Sequence, residues 1–285
     1  MEVGIALALV AALMTNLASL LKHRGCHRVE PVRFRQPLRS ARTLAGSRWF
    51  AAGWGVAAVA WLIHLAALSM APISIVQAVL AGGAVTVAVI SQRVFGDPVE
   101  RQQWLALALG GAGLALLAFT LPQLHGSDSD FSAGAILGFE GGLALLASAL
   151  ALGHRSPRLA ARRGVLLAVL AGTLIAFAGI AIKGLFGVGD VSIAVIAPWI
   201  ALTVVCGVMA QYATVGALQG GQAVETIGLI GLVANATQIA GGVLVFGDPL
   251  AANPLGVALQ VTAFAMVCAA ALLLPSRSAT RLAPG

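Results

Sequence analysis

The sequence predicts an all-α polytopic membrane protein of about nine transmembrane helices, built as two inverted four-helix repeats with one helix between them. Three observations carry this prediction. First, 59% of the 285 residues are of the AVILMFWYC type, only 9% are charged, and the mean hydropathy is +0.96. A soluble domain carries about 25% charged residues, so most of this surface is not built to face water. Second, long apolar runs recur along the whole chain. Third, the pentapeptide Val94-Phe95-Gly96-Asp97-Pro98 returns as Val245-Phe246-Gly247-Asp248-Pro249, each copy following an apolar run and preceding another.

A helical crossing of the hydrocarbon needs roughly 20 apolar residues. The runs that qualify are 3–21, 49–69, 73–92, 103–121, 133–152, 164–183, 194–216, 223–246 and 254–274. They are continuous rather than alternating and about twice the length of a barrel strand, which argues against β-structure. Run 3–21 follows Glu2 and has its positive charge after it, so it is expected to be a retained span rather than a secretory signal.

The basic residues fix a topology. The 22–48 linker holds Lys22, Arg24, Arg28, Arg33, Arg35, Arg39, Arg42 and Arg48. Arg93 and Arg101 flank the first pentapeptide, Arg155, Arg158, Arg162 and Arg163 separate spans five and six, and Arg277 and Arg281 follow span nine. With nine spans, every base except Lys183 falls on one side, which the positive-inside rule makes cytoplasmic. The N-terminus is then outside and the C-terminus inside a cytoplasmic membrane. Because the bases sit in loops between spans, the net charge of +7 reflects topology and the bilayer rather than a nucleic-acid partner. Cys26, Cys206 and Cys268 are too scattered for a zinc site. The chain carries no phosphate-binding P-loop, GxSxG or HExxH pattern, so neither an enzyme nor a cofactor is expected.

The topology places the two pentapeptides on opposite sides, so Asp97 and Asp248 cannot share a site. Each copy reads as a turn and helix-start signal, with Pro98 or Pro249 opening the next helix. Residues 1–121 then form the first repeat, 122–163 hold the intervening span five, and 164–285 form the second repeat and tail. Inverted halves that exchange conformations open a central site to each side in turn.

Ala67-Leu68, the segment Ala71-Pro72-Ile73-Ser74-Ile75-Val76-Gln77, the pentapeptide and Gly110-Gly111-Ala112-Gly113 resemble one half of a drug/metabolite transporter of the EamA-like kind. Ala217-Leu218, Gln222-Ala223-Val224 and the second pentapeptide resemble the other half, and the flavour is nearest the branch that includes NIPA-type magnesium transporters. The basic 22–48 linker departs from the commoner ten-span plan by standing where a second span would be. The resemblance implies a transporter and leaves the cargo open.

Charges within spans cost roughly 2.5–3.5 kcal/mol at mid-helix, which makes them the sharpest site candidates. Glu140 lies in span five, off a Gly134–Gly138–Gly142 seam expected to make a close helix contact. It either binds a cation, exchanges a proton, or serves as a hydrogen-bonded structural carboxylate. Lys183 shares the small face of span six with Gly172, Ala176 and Gly179, and either pairs with Glu140, attracts an anionic group, or snorkels. In span eight, Gly228, Gly231, Asn235, Gln238 and Gly242 fall within about 80° of arc, with Glu225 near the cytoplasmic end. The repeat offset sets Gln77 of span three opposite Gly228. These two faces either line the pathway or pack on each other. His64 in span two, Thr15 and Asn16 in span one, and Gln211 with Tyr212 in span seven are further hydrogen-bonding candidates.

The expected activity is secondary transport of a small solute by alternating access, with proton coupling through Glu140. A divalent cation is the alternative cargo, although only Glu140 and Glu225 supply carboxylates at depth. A lipid or lipid-linked sugar translocase and a non-transporting scaffold subunit are the readings from other classes. The oligomeric state is not readable from the sequence.

Overall fold

The computed structural model describes residues 2–31, 37–70, 84–96, 99–120, 133–187, 193–247, 251 and 253–274, and among them there is no strand. The helices are α1 (Glu2–Cys26), α2 (Pro37–Ala45), α3 (Arg48–Met70), α4 (Ala84–Ile90), α5 (Arg101–Thr120), α6 (Ala133–Gly153), α7 (Arg163–Gly187), α8 (Ile193–Gly220), α9 (Ala223–Val245) and α10 (Pro254–Leu273). Six of the described helices are long and apolar enough to cross a bilayer, which marks a multi-pass membrane protein. Most of span three, including Gln77, lies outside the described residues. Its end is seen as α4, which runs on into a π-helical turn at Ser91–Phe95.

In lipid, helix association depends on close van der Waals contact rather than on the exclusion of water, so small residues decide where helices meet. α1 and α3 run antiparallel in such a contact. A side chain at Gly53 would run into the Ala18 carbonyl at 2.8 Å, and one at Gly25 would overlap the backbone of Phe50. α7 lies against both α8 and α9. Its Gly172 faces the Ile230 carbonyl and Val233 of α9, and Ala176 is fully buried. The small face predicted for span six is therefore its contact with α9.

α5 and α10 form a second antiparallel pair. Gly113 lets them touch, since an added Cβ would sit 2.8 Å from the Ala263 carbonyl. The ends of this pair are tied reciprocally. Gln102 Nε2, near the start of α5, donates to the carbonyl of Leu273 at the end of α10 (2.6 Å). Gln260 Nε2, near the start of α10, donates to the carbonyl of Thr120 at the end of α5 (3.0 Å). Each glutamine thus serves one of the terminal carbonyls that have no donor within their own helix.

The 22–48 linker divides in two. α1 continues through Cys26, so Lys22 and Arg24 belong to that helix rather than to a loop. Short α2 then tucks Leu44 into a cluster with Cys26, Phe50, Val215 and Leu218. Ser47 precedes α3, accepting from Phe50 N and donating to the Gly25 carbonyl. The same end of the bundle gathers the starts of α5, α7 and α9. Gln103 Nε2 donates to Gln222 Oε1 (3.0 Å), Gln219 Nε2 donates to the Cys26 carbonyl (3.1 Å), and Gly164 lies against Gly220. The described bases of the linker, of the α4–α5 turn and of the α6–α7 turn therefore collect at one end.

The pentapeptides end helices by a shared device. Gly96 follows the π-turn at φ 72° and donates its N–H to the Ser91 carbonyl, and Gly247 follows α9 at φ 64°. Both are left-handed positions that favour glycine. The first copy lies near the start of α5. The second lies near its far end, where Ala251 N donates to Gln260 Oε1 while Gln260 holds Thr120. Asp97, Pro98, Asp248 and Pro249 lie outside the described residues, and the next helices start later, at Arg101 and at Pro254 behind an Asn253 cap.

Gly113→Ala is expected to lower unfolding stability in detergent by about 1–3 kcal/mol, because the new methyl overpacks the α5–α10 contact. Gly138→Ala, where an added Cβ has no described atom within 4 Å, is expected to leave stability unchanged or raise it. Thermal unfolding of the two variants checks the contrast.

Candidate functional site: a polar chamber between the helices

The sequence directs polar groups from three helices toward one space. On α1, Thr15, Asn16, Ser19 and Lys22 recur at helical spacing and so share a face. On α8, Gln211, Thr214 and Leu218 do the same, and on α9 so do Gly228, Gly231 and Asn235. These faces surround a cavity of about 340 Å³, which Val87 of α4, Leu114 of α5 and Ile175 of α7 help to close. Asn16 Nδ2 donates to Thr86 Oγ1 (2.6 Å) and ties α1 to α4 at the chamber wall. Lys22 Nζ lies 4.5 Å from the centroid of the Trp54 ring, and its stem passes over Gly53. Among the described lining residues Lys22 is the only charged one; the rest of the polar lining consists of hydroxyls and amides. Such a wall can hold a small polar solute by hydrogen bonds, with one ammonium group available to it.

The structure separates the residues singled out from the sequence. Asn235 lines the chamber with Gly228 and Gly231, and Thr15, Asn16 and Gln211 join it there. Gln238 lies one turn further along α9, its amide 3.2–3.3 Å from where a Gly179 Cβ would stand. One part of the α9 stripe therefore faces the chamber, while Gln238 packs on α7 rather than on span three. Glu225 is buried in the first turn of α9 and Tyr212 is half-buried in α8; neither lines the chamber. The backbones of His64 and Lys183 lie in α3 and α7, but their side chains are outside the described residues, as is all of Gln77.

Glu140 sits on α6, 5% exposed, and is not part of the chamber lining. Its Oε1 is buried with no hydrogen-bond partner among the described residues. It shares an inward face with Ile136, Leu143 and Ala147, and Cys206 of α8 is an electrostatic neighbour. The seam expected to carry the helix contact behaves differently. Gly134, Gly138 and Gly142 are exposed, and an added Cβ on any of them has no described atom within 4 Å. The close approach uses a glycine from the other helix, as Ile136 of α6 seats over Gly184 of α7.

Ser19, Lys22 and Thr214 are chamber residues that the sequence pattern did not single out. The signal for the first two was present, since they continue the face of Thr15 one and two turns on. Counting Lys22 as the first base of a loop concealed it.

These features together define a multi-pass helical membrane protein with a polar chamber among its helices. Comparison of the chain with protein-family models, with curated proteins and with solved structures gave no match.

One titratable group outside the spans bears on stability. His154, in the turn after α6, is 6% exposed, and burial holds its imidazole below the ordinary histidine range. Arg163 and Arg155 act in the same direction, while the Leu150 carbonyl opposes them. The unfolded chain therefore binds the proton more readily, so stability is full above the ordinary histidine pKa of about 6.5 and falls as the pH drops below it. Thermal unfolding between about pH 8 and 5 should show this loss in the wild type and a smaller loss in His154→Gln.

The chamber makes a second prediction. In a background free of the native cysteines, Asn235→Cys is expected to react with a water-soluble thiol reagent at least about tenfold faster than Ala263→Cys, whose parent side chain is fully buried. Mass spectrometry of the labelled protein checks it.

Proposed function

We propose that this protein is a secondary membrane transporter of the drug/metabolite type, moving a small polar solute across the cytoplasmic membrane by alternating access. The observation that carries this reading is the chamber, where amides and hydroxyls of α1, α8 and α9 face a shared space about 340 Å³ in volume. Polar groups inside a membrane bundle are costly and are retained where they line a pathway.

Several features support two inverted halves. The pentapeptide glycines end helices with the same left-handed turn near opposite ends of α5. α5 and α10 occupy corresponding places after them and run antiparallel. The α1–α3 contact corresponds to the α7–α8 contact, so equivalent helices pair within each half. The nine-span count and the placement of the basic end in the cytoplasm belong to the same proposal, resting on the gathered bases and the positive-inside rule.

The lining favours a neutral or anionic polar solute over a magnesium ion. Hard divalent cations prefer carboxylate oxygens, and the charged lining group is a lysine. Glu140, buried in the bundle and not among the chamber lining, is assigned the coupling role, taking up and releasing a proton as the halves exchange.

Flux into proteoliposomes tests the reading with a panel of polar metabolites, with and without a pH gradient. Wild type is expected to give saturable, gradient-sensitive flux. Asn235→Leu should reduce it about tenfold by leaving a polar solute group unpaired, and Glu140→Gln should abolish the response to the gradient. Flux no greater than in empty liposomes, or both variants behaving as wild type, overturns it.

A further inference from the structure

A second, larger cavity of about 530 Å³ opens at the basic end of the bundle, apart from the chamber residues. His23, Arg24, His27 and Arg28, from the last turn of α1 and just beyond it, line one wall, and Gly221 to Val224, where α9 begins, line the other. Arg24 and Arg28, one turn apart on that wall, carry like charges that repel one another. Arg24 and Arg28 are both held on Trp49, their guanidinium carbons 5.0 and 5.8 Å from its ring centroid. A guanidinium reads a phosphate through its planar N–H fork.

The histidines sharpen the argument. His23 Nε2 lies 3.2 Å from the Gly221 carbonyl and 3.1 Å from His27 Nε2. A ring nitrogen carries either a proton or a lone pair, so His23 Nε2 cannot donate to Gly221 while accepting from His27. A histidine ring N–H on this wall can donate to an anion in the cavity. The first N–H groups of α9 have no partner within their own helix, and Gln222 makes no side-chain cap to them.

We propose that this cavity is a binding site for a phosphate-type anion, held by Arg24 and Arg28 and by the His23–His27 pair over the start of α9. A free phosphate group and the headgroup of an anionic lipid share this chemistry, and the test separates them.

Purified full-length protein is titrated with inorganic phosphate by calorimetry. In parallel, it is placed in nanodiscs of phosphatidylcholine with or without phosphatidylglycerol, and lipid retention is read by native mass spectrometry. Saturable phosphate binding identifies a free anion, and selective phosphatidylglycerol retention identifies a headgroup. In either arm, Arg24→Gln/Arg28→Gln is expected to weaken binding by about tenfold or more, while Arg39→Gln/Arg42→Gln on α2 leaves it unchanged. Should the first variant fail to fold, Arg24→Lys/Arg28→Lys decides, because it keeps the charge and loses the planar fork; several-fold weaker binding is expected. No binding in either arm, wild-type affinity in the lysine variant, or an equal loss in the α2 variant overturns the proposal.

Discussion

Every helix end in this bundle leaves carbonyls without an intrahelical donor, and near a bilayer few waters are available to replace one. The α5–α10 pair shows how the chain meets that constraint. Gln102 donates across to Leu273 and Gln260 donates across to Thr120, one bond near each end of helices about 30 Å long. Two bonds that far apart set both the antiparallel direction and the axial register. Gly113 then lets the backbones close between them. With this pair held, Leu107 and Leu274 present a surface on which Gly228 of α9 rests, since a side chain there would strike both.

The seating of α9 has consequences for the chamber. One side of the helix is committed, because Ile230 and Val233 press on Gly172 of α7, and Gly228, at the edge of the chamber lining, also meets Leu107 and Leu274. The remaining sector, with Gly231 and Asn235, is turned toward α1 and α8. Small residues thus do two jobs on one helix. They allow close approach where a neighbour is present and leave room where it is not. The same logic explains α6, whose own glycines face away while Gly184 of α7 receives Ile136.

The two cavities differ in chemistry as well as position. The chamber wall is amide and hydroxyl with a single ammonium, suited to a solute that must bind and leave. The basic end sets histidine and arginine pairs against a helix start, an arrangement suited to holding an anion. α1 serves both, turning Thr15, Asn16 and Ser19 into the first and His23 with His27 into the second.

Composition and run length alone determined that this is a helical multi-pass membrane protein, because hydrocarbon imposes a minimum length and a charge limit that can be read residue by residue. Charge placement anticipated that the described bases of the linker and of two turns collect at one end, and the pentapeptides marked two helix ends closed by a glycine, since a left-handed glycine is a local requirement. Helical spacing placed Thr15 and Asn16 on one face of their helix, and Gly228, Gly231 and Asn235 on one face of theirs. Whether a given small face meets a helix, a cavity or lipid could not be read locally. Gly134, Gly138 and Gly142 have the spacing of a contact and make none among the described residues, whereas Gly113 and Gly172, no more conspicuous in sequence, carry the packing. Those outcomes depend on which neighbour stands opposite, and that is set by bonds such as Gln102 to Leu273, between residues far apart in the chain.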